Sequence, residues 1–338
     1  RESQGGRQLW LDLLRFIATF GVIFLHVGGT DYHLPVGEQK WFVAVVYDSL
    51  VRWSVPVFVM ISGALFLKPK KEITIRTLLA KYVKRLLVAY LFWWLAYSCF
   101  DVAIASVNAK TLVFKGGFLK PHFHLWFLPM LTGVYLMIPI LRKVAAETKL
   151  LRYALILWLV YLTVSFVLVR EVPQVSHLFT MNWIVGYTGY FLLGYYLATT
   201  AFTKRQKQTI YAFGLAGALI TVFGSIILSF RRGVDDEKFL FNISPQVVMM
   251  SAALFVLVKE ESPKIEGRVK GFVNYVRKDL FGIYLVHGFW LYVFNRPLFR
   301  DMIYPAISIP IIVVVIFAGS LYTTKLLRLL PKFKRIVE

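Results

Sequence analysis

Charged side chains are scarce in this sequence. Asp, Glu, Lys and Arg make up 17% of its 338 residues, and only 18 of them are acidic. Soluble domains carry roughly 25% charged and about 45–50% apolar residues, whereas this chain is 58% apolar. That balance excludes a water-soluble globular domain, and the apolar content excludes a disordered chain. Cys99 is the only cysteine, so an intrachain disulfide and a disulfide scaffold are excluded. The histidines His26, His33, His122, His124, His177 and His287 lack carboxylate partners at metal-ligand spacing, so no metal is expected. The sequence also lacks low-complexity tracts and inverted-topology repeats. What it has in excess is positive charge, 39 Lys and Arg for a net +21. In a soluble protein that charge would suggest nucleic acid. A basic groove does not require a 58% apolar chain, so no nucleic-acid partner is expected. The remaining class is a polytopic protein whose partner is the lipid bilayer.

A helix crosses the hydrocarbon core with about 20 mostly apolar residues. Ten stretches qualify: 9–28, 43–67, 83–106, 123–141, 153–169, 182–201, 209–229, 243–258, 279–295 and 303–325. The expected fold is therefore an all-α integral membrane bundle of about ten transmembrane helices, forming one domain over 1–338. The connecting loops alternate in charge, and 27 of the 39 basic residues fall on one side. By the positive-inside rule that side is cytoplasmic, which places both termini there. Segment 107–122 then reads as an interfacial loop on the opposite side. The chain opens on Arg1 rather than Met, so Arg1–Gly6 is expected to be a trimmed or added end. The first apolar stretch is too long for a cleaved signal and reads as a retained span.

Ionisable groups inside spans are costly and point to function. Asp12, Arg15 and His26 all sit in the first stretch. Arg15 and His26 are eleven residues apart, three helical turns plus roughly 20°, so they share one face about 16 Å apart along the axis. Asp12 precedes Arg15 by three and can pair with it on that stripe. The second stretch contains Arg52, which either snorkels outward or serves the site. It also contains Pro56, which can kink the helix, and Ser62-Gly63, which permits close helix approach. The fourth opens with His122-Phe-His124-Leu-Trp126-Phe127. Two histidines at i, i+2 on a helix point to different faces, while His124 can face His26 and Trp126 fits an aromatic belt. His287 lies about midway along the ninth stretch. Lys81, Lys84 and Arg85 form one face at the mouth of the third, either as topology signal or as a phosphate-binding group.

Leu11-Asp12-Leu-Leu-Arg15 followed by His26 resembles the R-x10-H signature of the acyltransferase-3 family of integral membrane acyltransferases. Ser54-Val-Pro56-Val-Phe-Val-Met-Ile-Ser62-Gly63, His124-Leu-Trp126-Phe127 and Gly282-Ile-Tyr284-Leu-Val-His287 extend the resemblance in order along nearly the whole chain. The likeness is greatest to bacterial inner-membrane O-acetyltransferases of cell-surface polysaccharides, such as enterobacterial common antigen. It implies transfer of an acetyl group from cytosolic acetyl-coenzyme A, as co-substrate, to a hydroxyl of an envelope glycan or lipid-linked saccharide. The family's Arg and His fall on Arg15 and His26; the chemistry of acyl transfer then suits His26 as the catalytic base or a transient acyl carrier, with Asp12 orienting Arg15. Arg15, Lys81, Lys84 and Arg85 would hold the coenzyme, in a mixed cluster where relatives carry denser arginines. Independently of the resemblance, Arg52, His124, Trp126 and His287 are candidates to bind the acceptor, with Arg52 or His124 alternatively polarising the thioester carbonyl. The membrane part of a vancomycin-resistance serine racemase is similar too, which leaves a transporter or substrate-binding subunit, for example for serine uptake, as the alternative. A non-catalytic membrane subunit is a third reading, under which Arg15 and His26 tolerate substitution together.

Overall fold

The computed structural model describes residues 9–69, 73–109, 122–171, 182–294 and 303–331, with positions 333 and 337 besides. The described residues are helical with short connections, and they contain no strand. Thirteen helices matter here: α1 (Leu9–Gly28), α2 (Gln39–Val51), α3 (Ser54–Phe66), α4 (Lys84–Ala109), α5 (Phe127–Leu136), α6 (Ile138–Ala146), α7 (Thr148–Glu171), α8 (Asn182–Thr199), α9 (Lys204–Arg232), α10 (Pro245–Glu261), α11 (Gly267–Val276), α12 (Leu280–Phe294) and α13 (Pro305–Leu329). Each of the ten apolar stretches contains a helix. Among the described residues, seven helical runs are long and apolar enough to cross a membrane, and an eighth qualifies if the bent α5–α6 pair is one span. α12, with 15 residues, is shorter than a full crossing.

Proline explains the breaks. Residues 39–66 form one apolar run interrupted at Arg52–Trp53. Pro56 has no N–H to give the Arg52 carbonyl four residues back, so the ladder opens there and resumes with Val57 N–H on the Trp53 carbonyl at 3.0 Å. Pro139 stands in the first turn of α6, and α5 and α6 meet at 57°. Ahead of α4, Leu78–Val83 is wound as a π-helix.

Burial ranks the helices. In α1 and in the 39–66 run, 61% of the spanning window is buried, against 22–28% for the runs 75–106, 148–168 and 204–232. The latter present rows of Leu, Val, Ile and Phe outward, among them Phe213, Leu215 and Phe223 on α9, which suits a surface solvated by lipid tails. α1 packs on α2, α3, α12 and α13 and so lies at the centre of the bundle. The tightest approach is between α3 and α8. A methyl group on Gly63 would sit 1.8 Å from the Phe191 carbonyl oxygen, and one on Gly194 would sit 2.0 Å from that of Met60. Small residues let backbones touch, which is how helices gain packing where lipid removes the hydrophobic drive between them.

Basic side chains close several helix ends. Arg142 donates to the Phe66 carbonyl at 2.7 Å at the end of α3, and Lys259 donates to Leu197 and Thr200 at the end of α8. Cations favour these carbonyl-rich termini. Asp279 is fully buried and pairs with Lys325 at 3.2 Å and with Arg328.

Candidate active site

The site is built on one stripe of α1. Arg15 Nη1 donates to Asp12 Oδ1 at 2.9 Å, and Asp12 is buried. The expected i, i+3 pair is therefore present, and its carboxylate fixes where the guanidinium points. Arg15 borders a cavity of about 700 Å³ at the end of the bundle fed by the basic-rich loops. Arg85, Arg277 and Lys278 join it there, and among the described residues no carboxylate lines the wall. Such a chamber suits a polyanionic group. Arg85 lies over the Phe281 ring at 5.4 Å. Lys81 and Lys84 are exposed and are not among the lining residues. They were expected to share a face with Arg85. Lys81 falls within the π-wound turn Leu78–Val83, while Lys84 and Arg85 are neighbours on α4, about 100° apart, and of the three only Arg85 lines the cavity.

Three turns further along α1, His26 borders a second cavity of about 170 Å³ together with Arg52, His124, Trp126 and Asn242. Arg52 does not snorkel outward. Its Nε donates to Asp48 Oδ2 at 3.0 Å and its Nη2 reaches the same oxygen. Asp48 is 1% exposed, so the guanidinium is held inward by a buried counter-ion. His124 and His122 belong to a turn rather than to a helix. Leu125 N–H bonds the His122 carbonyl at 2.9 Å, and α5 starts only at Phe127. On a helix, i, i+2 spacing puts two rings on different faces; in this turn they meet instead, with their Nδ1 atoms 3.0 Å apart.

His287 stands one layer behind the cavity. Its ring stacks on His26 at 5.4 Å between centroids and meets His124 edge-on at 4.7 Å. Its Nδ1–H donates to the Tyr284 carbonyl at 2.5 Å, which leaves the lone pair of the neutral ring on Nε2. The Nε2 atoms of His124 and His287 are buried without a hydrogen-bond partner among the described residues. Four imidazoles thus converge at one end of the bundle, although they lie on α1, the 122–126 turn and α12. His33, at 3.9 Å from Asp235, is apart from them, and His177 and segment 110–121 lie outside the described residues. Among the described residues, no three or more His, Cys, Asp or Glu side chains are grouped to hold a metal ion.

Asp48, Asn242, Arg277 and Lys278 belong to the site and were not singled out from the sequence. Asp48 had a readable signal, a carboxylate four residues before Arg52 in an apolar run. Arg277 and Lys278 look like any other residues of a basic loop, and Asn242 carries no sequence signal at all.

No curated protein and no solved structure matches the chain. A family model described as an acyltransferase domain matches residues 8–325 and thus takes in α1, the whole of both cavities and most of α13. With nearly the full chain covered, from the Asp12–Arg15 pair through the histidine cluster, the protein is a membrane-spanning member of the acyltransferase-3 family.

Proposed function

We propose that the chain is an O-acyltransferase of the bacterial inner membrane, with both termini cytoplasmic. It moves an acetyl group from cytosolic acetyl-coenzyme A to a hydroxyl of a cell-envelope glycan or lipid-linked saccharide. One observation carries this reading. Arg15 and His26 project from one helix into two different cavities, a cationic one on the basic-rich side and an imidazole-rich one on the other. A donor from one side and an acceptor from the other would meet between them.

Arg85, Arg277 and Lys278 hold the phosphates of the coenzyme, and Arg15, oriented by Asp12, holds the start of its pantetheine arm. The thioester end then lies toward His26. The acceptor oxygen attacks the thioester carbonyl carbon while His26 takes its proton. Arg52, clamped by Asp48, stabilises the oxyanion of the tetrahedral intermediate. When the carbon–sulfur bond breaks, His26 returns the proton to the leaving thiolate, and the products are the acetyl ester and free coenzyme A. His124, Trp126 and Asn242 contact the acceptor, and His287 positions the His26 ring by stacking.

The test uses purified protein in proteoliposomes with labelled acetyl-coenzyme A and envelope extract. Label is expected to move into a glycan component, and His26→Ala is expected to lose about 10²–10⁴-fold in rate, the range of general-base catalysis. A His26→Ala variant with full transfer would refute the base assignment. Label retained on the protein without acceptor would replace direct transfer by an acyl-histidine step. Uptake of labelled serine without any acyl donor would favour the transporter reading instead.

A further inference from the structure

Three side chains border both cavities: Phe58 on α3, Phe127 at the start of α5, and Tyr284 on α12. Each sits at the boundary on its own element. On α3, Val55 borders only the small cavity and Ile61 only the large one. In the 122–136 segment, His124 and Trp126 border the small cavity and Leu131 the large one. The rings touch in sequence, Phe58 to Phe127 at 5.9 Å and Phe127 to Tyr284 at 5.7 Å. They form an aromatic layer between the cationic chamber and the chamber of His26. Tyr284 is pinned, because its hydroxyl donates to the His124 carbonyl at 2.5 Å. Phe58 and Phe127 have no polar atom to pin them.

We propose that Phe58, with Phe127 and Tyr284, selects the acyl group by length, admitting acetyl and rejecting longer chains. This rests on the acyltransferase reading above. A thioester whose coenzyme is held by Arg15, Arg85, Arg277 and Lys278 reaches His26 only with its acyl group passing the ring layer first. The chamber beyond measures about 170 Å³. It is about a quarter of the volume of the cationic chamber and must also receive the acceptor hydroxyl, so it favours a short acyl group. Each further methylene must displace the acceptor or remain wedged between the rings. Phe58 is the ring to vary, because it borders both chambers without a polar contact and, unlike Phe127, does not directly follow the turn that carries His124.

The experiment compares acetyl-, butyryl- and hexanoyl-coenzyme A on one acceptor extract, with the purified full chain in proteoliposomes. The readout is the ratio of kcat/KM between donors, which does not depend on the absolute rate of a variant. The wild-type chain is expected to use hexanoyl at least 100-fold less well than acetyl. Phe58→Ala is expected to narrow that ratio at least tenfold, and Phe58→Leu, which keeps apolar packing, to narrow it in between. If Phe58→Ala does not fold, Phe58→Leu alone decides. Ratios within twofold of wild type in the folded Phe58 variants, with acetyl transfer retained, overturn the inference and leave the acyltransferase reading standing. A wild-type chain that uses hexanoyl as well as acetyl overturns it in the same way. If the wild-type chain transfers no acyl group from any donor, the acyltransferase reading itself fails, and the inference fails with it.

Discussion

The packing of α3 on α8 sets a measurable limit on what Gly63 can become. A Cβ placed on Gly63 lies 1.8 Å from the oxygen, 2.6 Å from the carbon and 3.0 Å from the Cα of Phe191. Ordinary contact begins near 3.4 Å, so the two helices must part by about 1.6 Å, the difference between those distances. All three obstacles are backbone atoms, and no rotamer change relieves them. Overpacking of this kind costs about 1–3 kcal/mol, and Gly63→Ala belongs at the top of that range. Gly133 on α5 provides the control, because a methyl group there meets nothing within 4 Å. Gly133→Ala is expected to stabilise by up to about 1 kcal/mol through helix propensity alone. The assay is thermal unfolding of the purified protein in detergent, with Gly63→Ala melting below wild type and Gly133→Ala at or above it. α3 also carries Phe58 at the ring layer, and Arg52 lies just ahead of it. Its displacement is therefore expected to reduce acetyl transfer by about 10²-fold, as misplacement near 1 Å does elsewhere. If Gly63→Ala melts like Gly133→Ala, the close approach of α3 and α8 is wrong.

Three further outcomes follow from the site. Removing either member of the Asp48–Arg52 pair leaves a charge uncompensated inside the bundle and is expected to cost about 3–5 kcal/mol; the double alanine variant should be milder than the sum by at least about 1 kcal/mol, measured by the same melts in a double-mutant cycle. Replacing Arg277 and Lys278 together by alanine is expected to raise the KM for acetyl-coenzyme A by about 10- to 100-fold, the scale of one lost charge-assisted hydrogen bond, whereas replacing Lys81 and Lys84 together should change it by less than about threefold; equal effects of the two pairs would sink the cavity assignment. Arg15→Ala should likewise act through the apparent affinity for the donor, and a variant with lower turnover at unchanged KM would remove Arg15 from donor binding.

The first helix was the most legible part of the chain. The spacing of Asp12, Arg15 and His26 needs only helical phase to put them on one stripe, and the ion pair and the two cavities lie along it. Arg52 was visible as a charge in an apolar run, but its direction was not, because that depends on Asp48 and on the break that Pro56 opens. The meeting of His122 and His124 was hidden for a related reason. Helical spacing predicts divergent rings, and only the turn ahead of α5 brings their Nδ1 atoms together. Likewise, composition could not separate the Arg277–Lys278 pair, which lines a cavity, from Lys81 and Lys84, which do not. All four lie in basic stretches between apolar runs that topology alone would produce.

The scarcity of charge, by itself, determined the class of protein and made each buried exception informative. Apolar runs also located the helices, since a chain surrounded by lipid must satisfy its backbone within each span. What the tertiary structure decided was convergence. His26, His124 and His287 come from separate elements far apart in sequence, and Phe58, Phe127 and Tyr284 meet only because their helices pack around α1. Periodicity is a property of one helix, whereas a site with a wall between two chambers depends on the rotation and approach of several. Those are set by backbone contacts such as Gly63 on Phe191, and no single stretch of sequence contains both sides of such a contact.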